Sequence, residues 1–177
     1  MKFGNLFARQ IHPETAGLAR YIEELAQNED MPRLSQLNLR RLGVITQYLY
    51  LVDVLRQENN YRFSFWGSRM TILIGYDLRE KCLSDVVDPE IRQSVWRTYD
   101  RVVETRKPSF MRAEYAWPGG KYLPIERLLV PMASDDGVLS AICGISVPDI
   151  ADVDLEMYAG YGPARLISEK ELMLKAG

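Results

Sequence analysis

The chain has 177 residues, of which 47% are hydrophobic, and this length and composition predict one domain with extensions. Its 22 basic residues are balanced by 24 acidic residues, and its pI is about 5.5. Because no excess positive charge would attract phosphate backbones or anionic lipid, neither nucleic acid nor a membrane surface is expected as a partner.

The first 45 residues are predicted to form an N-terminal helical extension. Within residues 14–27, Leu18, Ile22 and Leu25 fall at i, i+4 and i+7, and charged residues occupy the other positions of the helical wheel. This spacing is typical of an amphipathic helix. Residues 34–45 are predicted to add one or two further helical turns.

The globular domain is predicted to span residues 46–148 and to begin with strands at residues 46–56 and 61–66. The polar break between these two segments predicts an antiparallel hairpin. A short helix over residues 69–74 follows and ends at Gly75. A long helix over residues 89–106 then follows, with Asp88 as its cap and Pro89 at its first position.

Beyond the long helix the apolar residues change to a period of two, which predicts strands. Three strands are expected in succession, at residues 111–117, 122–133 and 138–147, with turns at Pro118–Lys121 and at Asp135-Asp136-Gly137. With the early hairpin they make five antiparallel strands, interrupted by helices between the second and the third.

Residues 149–177 are predicted to form a C-terminal tail with one short helix. Gly160 and Gly162-Pro163 would break any helix leaving the last strand, and Ser168 with Glu171 resembles a capping box. No catalytic output domain is expected in this tail, so the protein is expected to act by binding another molecule.

Two segments resemble a known family. Residues 61–68 (YRFSFWGS) and 126–132 (ERLLVPM) look like hallmark segments of bacterial PAS-domain proteins in which little else accompanies the domain. The resemblance covers about residues 31–147. It implies an α+β PAS fold, with a five-stranded antiparallel sheet, short helices over one face and a small internal cavity. It also implies a role as a sensor or regulator in bacterial signal transduction.

The resemblance further implies dimerisation through an N-terminal helix, because such helices often join PAS domains into pairs. The helix at residues 14–27 lies where that helix would be. A homodimer is therefore expected, with Leu18, Ile22 and Leu25 as candidate interface residues.

Large side chains in the strands and helices are the candidates for contacting a ligand in the cavity. The strands offer Phe65, Met111 and Tyr115, and the helical layer offers Tyr76 and Trp96. Ordinary core packing is the alternative role for each of them, because large aromatic residues dominate protein cores.

A charged pair, Glu126 and Arg127, lies within a predicted strand. Neighbouring residues on a strand point to opposite faces, so one of the two charges is directed toward the helical layer, where it needs a partner. One hypothesis is a structural salt bridge with Asp77 or Asp85. The other is that Arg127 binds an anionic ligand, a carboxylate or a phosphate, through its planar guanidinium.

The sequence does not identify a cofactor. Haem-binding PAS proteins use a histidine on the long helix, whereas His12 is the only histidine and lies ahead of the domain. Flavin photosensors carry an Asn-Cys-Arg-Phe signature, and Cys82 is instead preceded by Lys81 and followed by Leu83. Haem through a histidine and a cysteinyl-flavin are both disfavoured, and Cys82 and Cys143 are interpreted as structural thiols.

Three features indicate a cytoplasmic protein. The two cysteines lack motif spacing, and residues 1–10 lack the apolar region of a signal peptide. No stretch approaches the roughly 18 apolar residues of a membrane-spanning helix.

Enzymatic activity is the least favoured function class. A curved sheet crossed by a helix also describes small cone-shaped isomerases and dehydratases, which need a general acid or base. No acid–base constellation or metal cluster emerges, so no catalytic residue and no metal ligand is predicted. Two hypotheses remain: a sensor whose cavity ligand alters a dimer or partner surface, and an adaptor that contacts a signalling protein constitutively.

Overall fold

The computed structural model describes residues 1–27, 29–86, 89–117, 121–149 and 165–172. This part of the chain contains five α-helices and six β-strands. The helices are α1 (Gly4–Phe7), α2 (Pro13–Ala26), α3 (Leu39–Leu42), α4 (Ser68–Ile74) and α5 (Pro89–Thr105). The strands are β1 (Leu49–Leu55), β2 (Asn60–Trp66), β3 (Ser109–Trp117), β4 (Lys121–Ala133), β5 (Leu139–Pro148) and β6 (Arg165–Leu172). Short 3-10 helices occupy Leu34–Gln36, Gly43–Tyr48 and Leu83–Asp85.

The six strands form one antiparallel sheet in the order β2-β1-β5-β4-β3-β6. The predicted β1–β2 hairpin and the succession of β3, β4 and β5 are confirmed. The predicted helix α4 is also confirmed. It ends at Gly75, whose left-handed φ of 91° is one that glycine adopts readily. Pairing of β1 with β5 joins the two halves of the sheet, and it places Tyr50 opposite Gly144.

The sixth strand corrects the predicted C-terminal helix. Ser168 and Glu171, which suggested a capping box, instead lie in β6, where they pair with Glu114 and Met111 of β3. The capping pattern is a weak local preference, whereas the edge of β3 offers a row of backbone groups that a further strand satisfies. The tail residues Gly160, Gly162 and Pro163, the Asp88 cap and most of the turn predicted at Pro118–Lys121 lie outside the described residues.

The sheet has an inner face, covered by α4, α5 and the Leu83–Asp85 segment, and an outer face, covered by the N-terminal helices. The inner core buries apolar side chains of all these elements together with those of β1 to β5. Helix α5 contributes Ile91, Val95, Tyr99 and Val102, at the spacing of one helical face. The helical layer therefore lies over one face of the sheet, as the PAS resemblance implies.

Helix α2 packs across the outer face, against β4 and β5. Leu18 and Ile22 are fully buried in this layer, and Leu25 packs against it while partly exposed. The apolar side of the helix is thus covered by the sheet of its own chain. The interpretation of Leu18 and Ile22 as dimer contacts therefore needs correcting. An amphipathic helix can bury its apolar side against a face of its own sheet as well as against a second subunit.

A β-bulge in the first hairpin changes which residues face the helices. Leu51 pairs with Phe65 and Val52 pairs with Phe63, so Ser64 has no opposite residue in β1. One extra residue reverses the alternation of side chains along a strand. Phe63 therefore lies in the inner core, whereas Phe65 packs in the outer layer. The prediction that Phe65 contacts a cavity ligand is wrong for this reason.

Among the helices in the described ranges, none has both the length and the apolar character needed to cross a bilayer.

Candidate functional site

The inner core encloses a cavity of about 30 Å³ between the sheet and the helical layer. Apolar side chains from α4, α5 and the segment that connects them make most of its wall. The lining residues are Tyr50, Phe63, Trp66, Met70, Ile74, Leu78, Leu83, Val86, Ile91, Val95, Tyr99 and Arg127. Arg127 is the one residue among these whose side chain carries a formal charge at neutral pH.

Arg127 reaches the cavity because it follows Glu126 on β4, where adjacent residues face opposite sides of the sheet. Its side chain is only 6% exposed. The guanidinium donates from Nε to Ser146 Oγ at 3.1 Å and from Nη2 to the Tyr115 hydroxyl at 2.8 Å, and Nη1 lies 4.0 Å from Met111 Sδ. All three partners are neutral.

The salt bridges expected for Arg127 are not formed. Asp77 instead accepts from Arg79, at 2.9 Å from its backbone nitrogen and 2.8 Å from its Nε. Asp85 accepts from the backbone nitrogen of Cys82 at 2.9 Å. Within the described ranges, no carboxylate forms an ion pair with Arg127.

Two further tyrosines complete the neutral surroundings of the guanidinium. The Tyr50 hydroxyl lies 3.4 Å from Ser146 Oγ, and burial raises the pKa of Tyr50. Burial also raises the pKa of Tyr99 well above its ordinary value. Burial acts to lower the pKa of Arg127, but the hydroxyls of Tyr115, Tyr50 and Tyr99 more than offset it, so the net shift is upward. The site is therefore a fixed positive charge among protonated hydroxyls.

Trp66 lines the same cavity and carries a second buried N–H donor. The side chain is 7% exposed and is fixed by ring contacts, with centroids 5.1 Å from Phe63 and 5.7 Å from Tyr50. Its indole Nε1 is buried and has no hydrogen-bond partner in the part of the chain that the structure describes. A buried N–H without an acceptor is costly, and it is a position where a ligand oxygen would be stabilised.

Glu126, on the outer side of β4, is paired. It is fully buried, and it accepts from the His12 backbone nitrogen at 2.9 Å and from Arg112 Nη2 at 3.2 Å. Glu126 thereby connects the segment preceding α2 to the sheet.

A larger surface cleft, of about 280 Å³, lies between the β1–β2 turn and α5, and two of its charged side chains, Arg56 and Asp100, are already engaged. The Tyr61 hydroxyl donates to Asp100 Oδ1 at 2.6 Å, and burial, followed by this bond, raises the pKa of Tyr61. Arg56 Nη2 donates to the Leu139 carbonyl at 3.2 Å. The inner cavity, with two incompletely used donors, is therefore the stronger candidate site.

Comparison with known proteins identifies the fold family. A family model described as a PAS domain matches residues 10–147. The chain belongs to the PAS domain family. The match begins ahead of helix α2, so it includes the helix that covers the outer face of the sheet.

Solved structures show the same fold. The ligand–DNA complex of Vibrio cholerae VqmA is 15% identical with a TM-score of 0.51, and the match covers 70% of this chain and 56% of that one. A Vibrio cholerae VqmA dimer without target DNA is 16% identical with a TM-score of 0.51, over 68% and 56% of the two chains. A PAS domain from Colwellia psychrerythraea is 14% identical with a TM-score of 0.45, over 62% and 95%. The matched region is thus little more than half of VqmA. A search of curated proteins gave no match.

Three of the residues predicted for the site of this PAS domain lie together, since Arg127 contacts both Met111 and Tyr115. Trp96 and Tyr76 are partly buried at the margin of the inner core and do not line the cavity. Trp96 instead packs edge-on against Tyr61, with ring centroids 6.0 Å apart.

The roles of Tyr50, Trp66, Tyr99 and Ser146 were not predicted. Ser146 carried a usable signal, since it is one of two serines in the mainly apolar strand β5 and is 1% exposed. Such a hydroxyl needs a partner, and Arg127 is that partner. The other three are aromatic residues whose polar atoms only the tertiary structure brings to the cavity.

Both cysteines of this PAS domain are free thiols with raised pKa values. Cys143 is buried in the outer layer, where burial raises the pKa of its thiol to about 12. Burial, followed by the charge of Asp85, also raises the pKa of Cys82. No cluster of three or more candidate metal ligands occurs in the ranges that the structure describes.

Proposed function

We propose that this PAS domain is a non-enzymatic sensor of bacterial signal transduction that binds a small molecule in its inner cavity. The single observation that supports a ligand is the buried guanidinium of Arg127, which faces the cavity with only neutral partners. We further propose a cytoplasmic homodimer that acts on a signalling protein.

The chemistry of the cavity favours binding over catalysis. Among the described residues that line it, Tyr50, Tyr99 and Arg127 are ionisable, and the pKa of each lies above its ordinary value. General acid–base catalysis near neutral pH needs a group whose pKa is near the working pH. These three groups keep their protons, so they can form hydrogen bonds and stabilise negative charge but do not exchange protons near neutral pH.

Strand β4 offers a route from the cavity to the surface. Arg127 faces the cavity, and its neighbour Glu126 accepts the backbone N–H of His12 on the other face. A ligand that moves Arg127 would shift the same peptide segment that holds Glu126. The segment ahead of α2 would then change its position or its protection from solvent, and that segment is our proposed output surface.

Homodimerisation would use a surface other than the buried side of α2. The description of Vibrio cholerae VqmA as a dimer concerns that protein, and it supports our proposal by analogy of fold. Sedimentation equilibrium tests it directly: we expect twice the chain mass of 20.4 kDa, and a monomer at micromolar concentration would refute the dimer.

A constitutive adaptor is the second candidate, and the size of the cavity favours it. About 30 Å³ accommodates about one or two water molecules, whereas small-molecule sites commonly measure about 300–1,000 Å³. A sensor therefore requires the helical layer to move outward when the ligand binds. An adaptor would keep the cavity as it is.

Native mass spectrometry of freshly purified protein distinguishes the two candidates. For a sensor we expect an additional mass that is released on denaturation. Val95→Ile adds a methylene to the cavity wall and should reduce this occupancy, whereas Val147→Ile makes the same change in the outer layer and should not. Hydrogen exchange of residues 10–14 should also differ between the occupied and the emptied protein. Unmodified mass, together with unchanged exchange, would favour the adaptor.

A further inference from the structure

Two buried side chains that line the inner cavity carry unused N–H groups. A guanidinium has five N–H donors, and the contacts of Arg127 with Ser146, Tyr115 and Met111 use one each, which leaves two without a partner among the described residues. The indole N–H of Trp66 is unused as well in the described part of the chain. The cavity wall therefore has N–H groups that lack acceptors among the described residues.

It also lacks negative charge. Removing a guanidinium from water is costly unless an anion and further hydrogen bonds compensate it. Asp77 and Asp85 are engaged elsewhere, and the pKa values of Tyr50 and Tyr99 are raised, so these hydroxyls stay neutral. An anion that entered the cavity would meet a positive charge that no described group neutralises.

We infer that the ligand is a short-chain monocarboxylate, whose oxygens accept hydrogen bonds from Arg127 and Trp66 and whose hydrocarbon part contacts the apolar wall. This inference rests on the proposed sensor function, because it assigns the ligand class of the same cavity.

The amount of charge favours a carboxylate over a phosphate. A phosphate monoester carries about −1.5 to −2 at neutral pH, and it has three acceptor oxygens. The cavity supplies one positive charge and only a few free donors. A carboxylate carries one negative charge, and its two oxygens match the planar guanidinium.

The wall and the size of the cavity favour a short hydrocarbon chain. Met70, Ile74, Leu83 and Val86 form the side opposite the sheet, and all four are apolar. In a cavity of about 30 Å³ the carboxylate would replace water. The chain would displace α4, which has seven residues and is the short element of this wall.

Indole resonances provide a direct test, since the protein has only three tryptophans. In ¹H–¹⁵N spectra at pH 7, Trp66→Phe identifies the Trp66 N–H signal. Acetate, butyrate and benzoate are then titrated at ionic strength matched with chloride. Butyramide is the neutral counterpart of butyrate, and inorganic phosphate, a mixture of monoanion and dianion at this pH, is the phosphate probe. We expect a saturable shift of the Trp66 signal with at least one carboxylate and none with butyramide or phosphate.

Variants assign the effect to the two donors. Calorimetry should show at least tenfold weaker carboxylate binding for Arg127→Met and about tenfold weaker binding for Trp66→Phe, because a hydrogen bond to a charged group is lost in each case. If Arg127→Met does not fold, Arg127→Lys retains the charge, loses the planar fork and should also bind more weakly.

The outcomes separate this inference from the proposed function. Equal binding of butyramide, tighter binding of phosphate, or a neutral compound retained in native mass spectrometry would overturn the carboxylate while leaving a ligand-binding sensor. If neither the probes nor any retained compound binds the cavity, the carboxylate inference and the sensor are both overturned. Saturable binding of a carboxylate that Arg127→Met weakens supports both.

Discussion

Gly144→Ala tests the geometry on which the candidate site depends. Gly144 lies opposite Tyr50 in the β1–β5 pairing, and the tyrosine ring lies over the glycine. A Cβ at position 144 would overlap Cε2 and Cζ of the ring and would lie 2.8 Å from its hydroxyl oxygen. Carbon atoms in contact normally lie about 3.5–4.0 Å apart. The substitution therefore forces the Tyr50 ring to move, together with the hydroxyl that lies beside Ser146.

The expected cost follows from the packing of Tyr50, which is 2% exposed. Overpacking a dense core costs about 1–3 kcal/mol, and the upper half of that range applies here because the ring is enclosed. At about 2–3 kcal/mol, the melting temperature of a domain of this size should fall by about 4–12 °C. Urea denaturation followed by circular dichroism measures the change in the free energy of unfolding.

Two further variants make this test specific. Gly4→Ala is the matched control, because a Cβ there would meet no atom within 4 Å, and its stability should stay within about 0.5 kcal/mol of the wild type. Tyr50→Leu removes most of the overlapping ring, so combining it with Gly144→Ala should cost clearly less than the sum of the single changes. If Gly144→Ala matches the wild type, or if the two changes are additive, the ring does not cover residue 144.

Three other predictions address the cavity, the outer layer and the thiols. Val95→Ile should leave the stability unchanged or raise it by up to about 0.8 kcal/mol, because one methylene fills the void; a clear loss in urea denaturation would mean that no void exists. Leu18→Asp should destabilise the fold by more than about 3 kcal/mol, since it buries a charge, whereas the exposed Glu24→Ala should change it by less than about 0.5 kcal/mol. Dissociation of a dimer by Leu18→Asp without loss of stability would refute the packing of α2. Because the pKa of Cys143 is raised to about 12, its thiol stays protonated at pH 8, and iodoacetamide should modify the native protein only at Cys82, as peptide mass mapping can show.

Much of the fold could be predicted because its signals are local. The alternation in β3, the turn after Ala133 and the glycine ending α4 each depend on a few consecutive residues. Strand β1 was predicted to begin at residue 46, but residues 43–48 form a 3-10 turn and the strand begins at Leu49. Strand β6 was missed because its partner, the edge of β3, lies some 50 residues away, and the apparent capping box predicted a helix.

Side-chain direction was predictable only where the strand is regular. In β4 the pairing with β5 is regular up to Met132, so the facing of Glu126 and Arg127 to opposite sides could be expected. In β2 the extra residue Ser64 reverses the pattern, and nothing in the sequence alone separates Phe63, in the inner core, from Phe65, in the outer layer. A bulge is specified by pairing with the neighbouring strand, which a single segment does not reveal.

The salt bridge predicted between Arg127 and Asp77 or Asp85 was wrong because both carboxylates bond to residues close to them in the chain. Asp77 and Asp85 both lie in the connecting segment that covers the cavity, so a salt bridge to the sheet was a reasonable expectation. Each carboxylate is instead satisfied within three residues of itself, by Arg79 and by the backbone of Cys82. A local bond of this kind leaves the carboxylate partly in water, whereas a bridge to Arg127 would require it to lose its hydration inside an apolar wall. The same preference that keeps these carboxylates at the surface leaves the buried guanidinium without an anion among the described residues, and in the proposed function a diffusible ligand provides that anion.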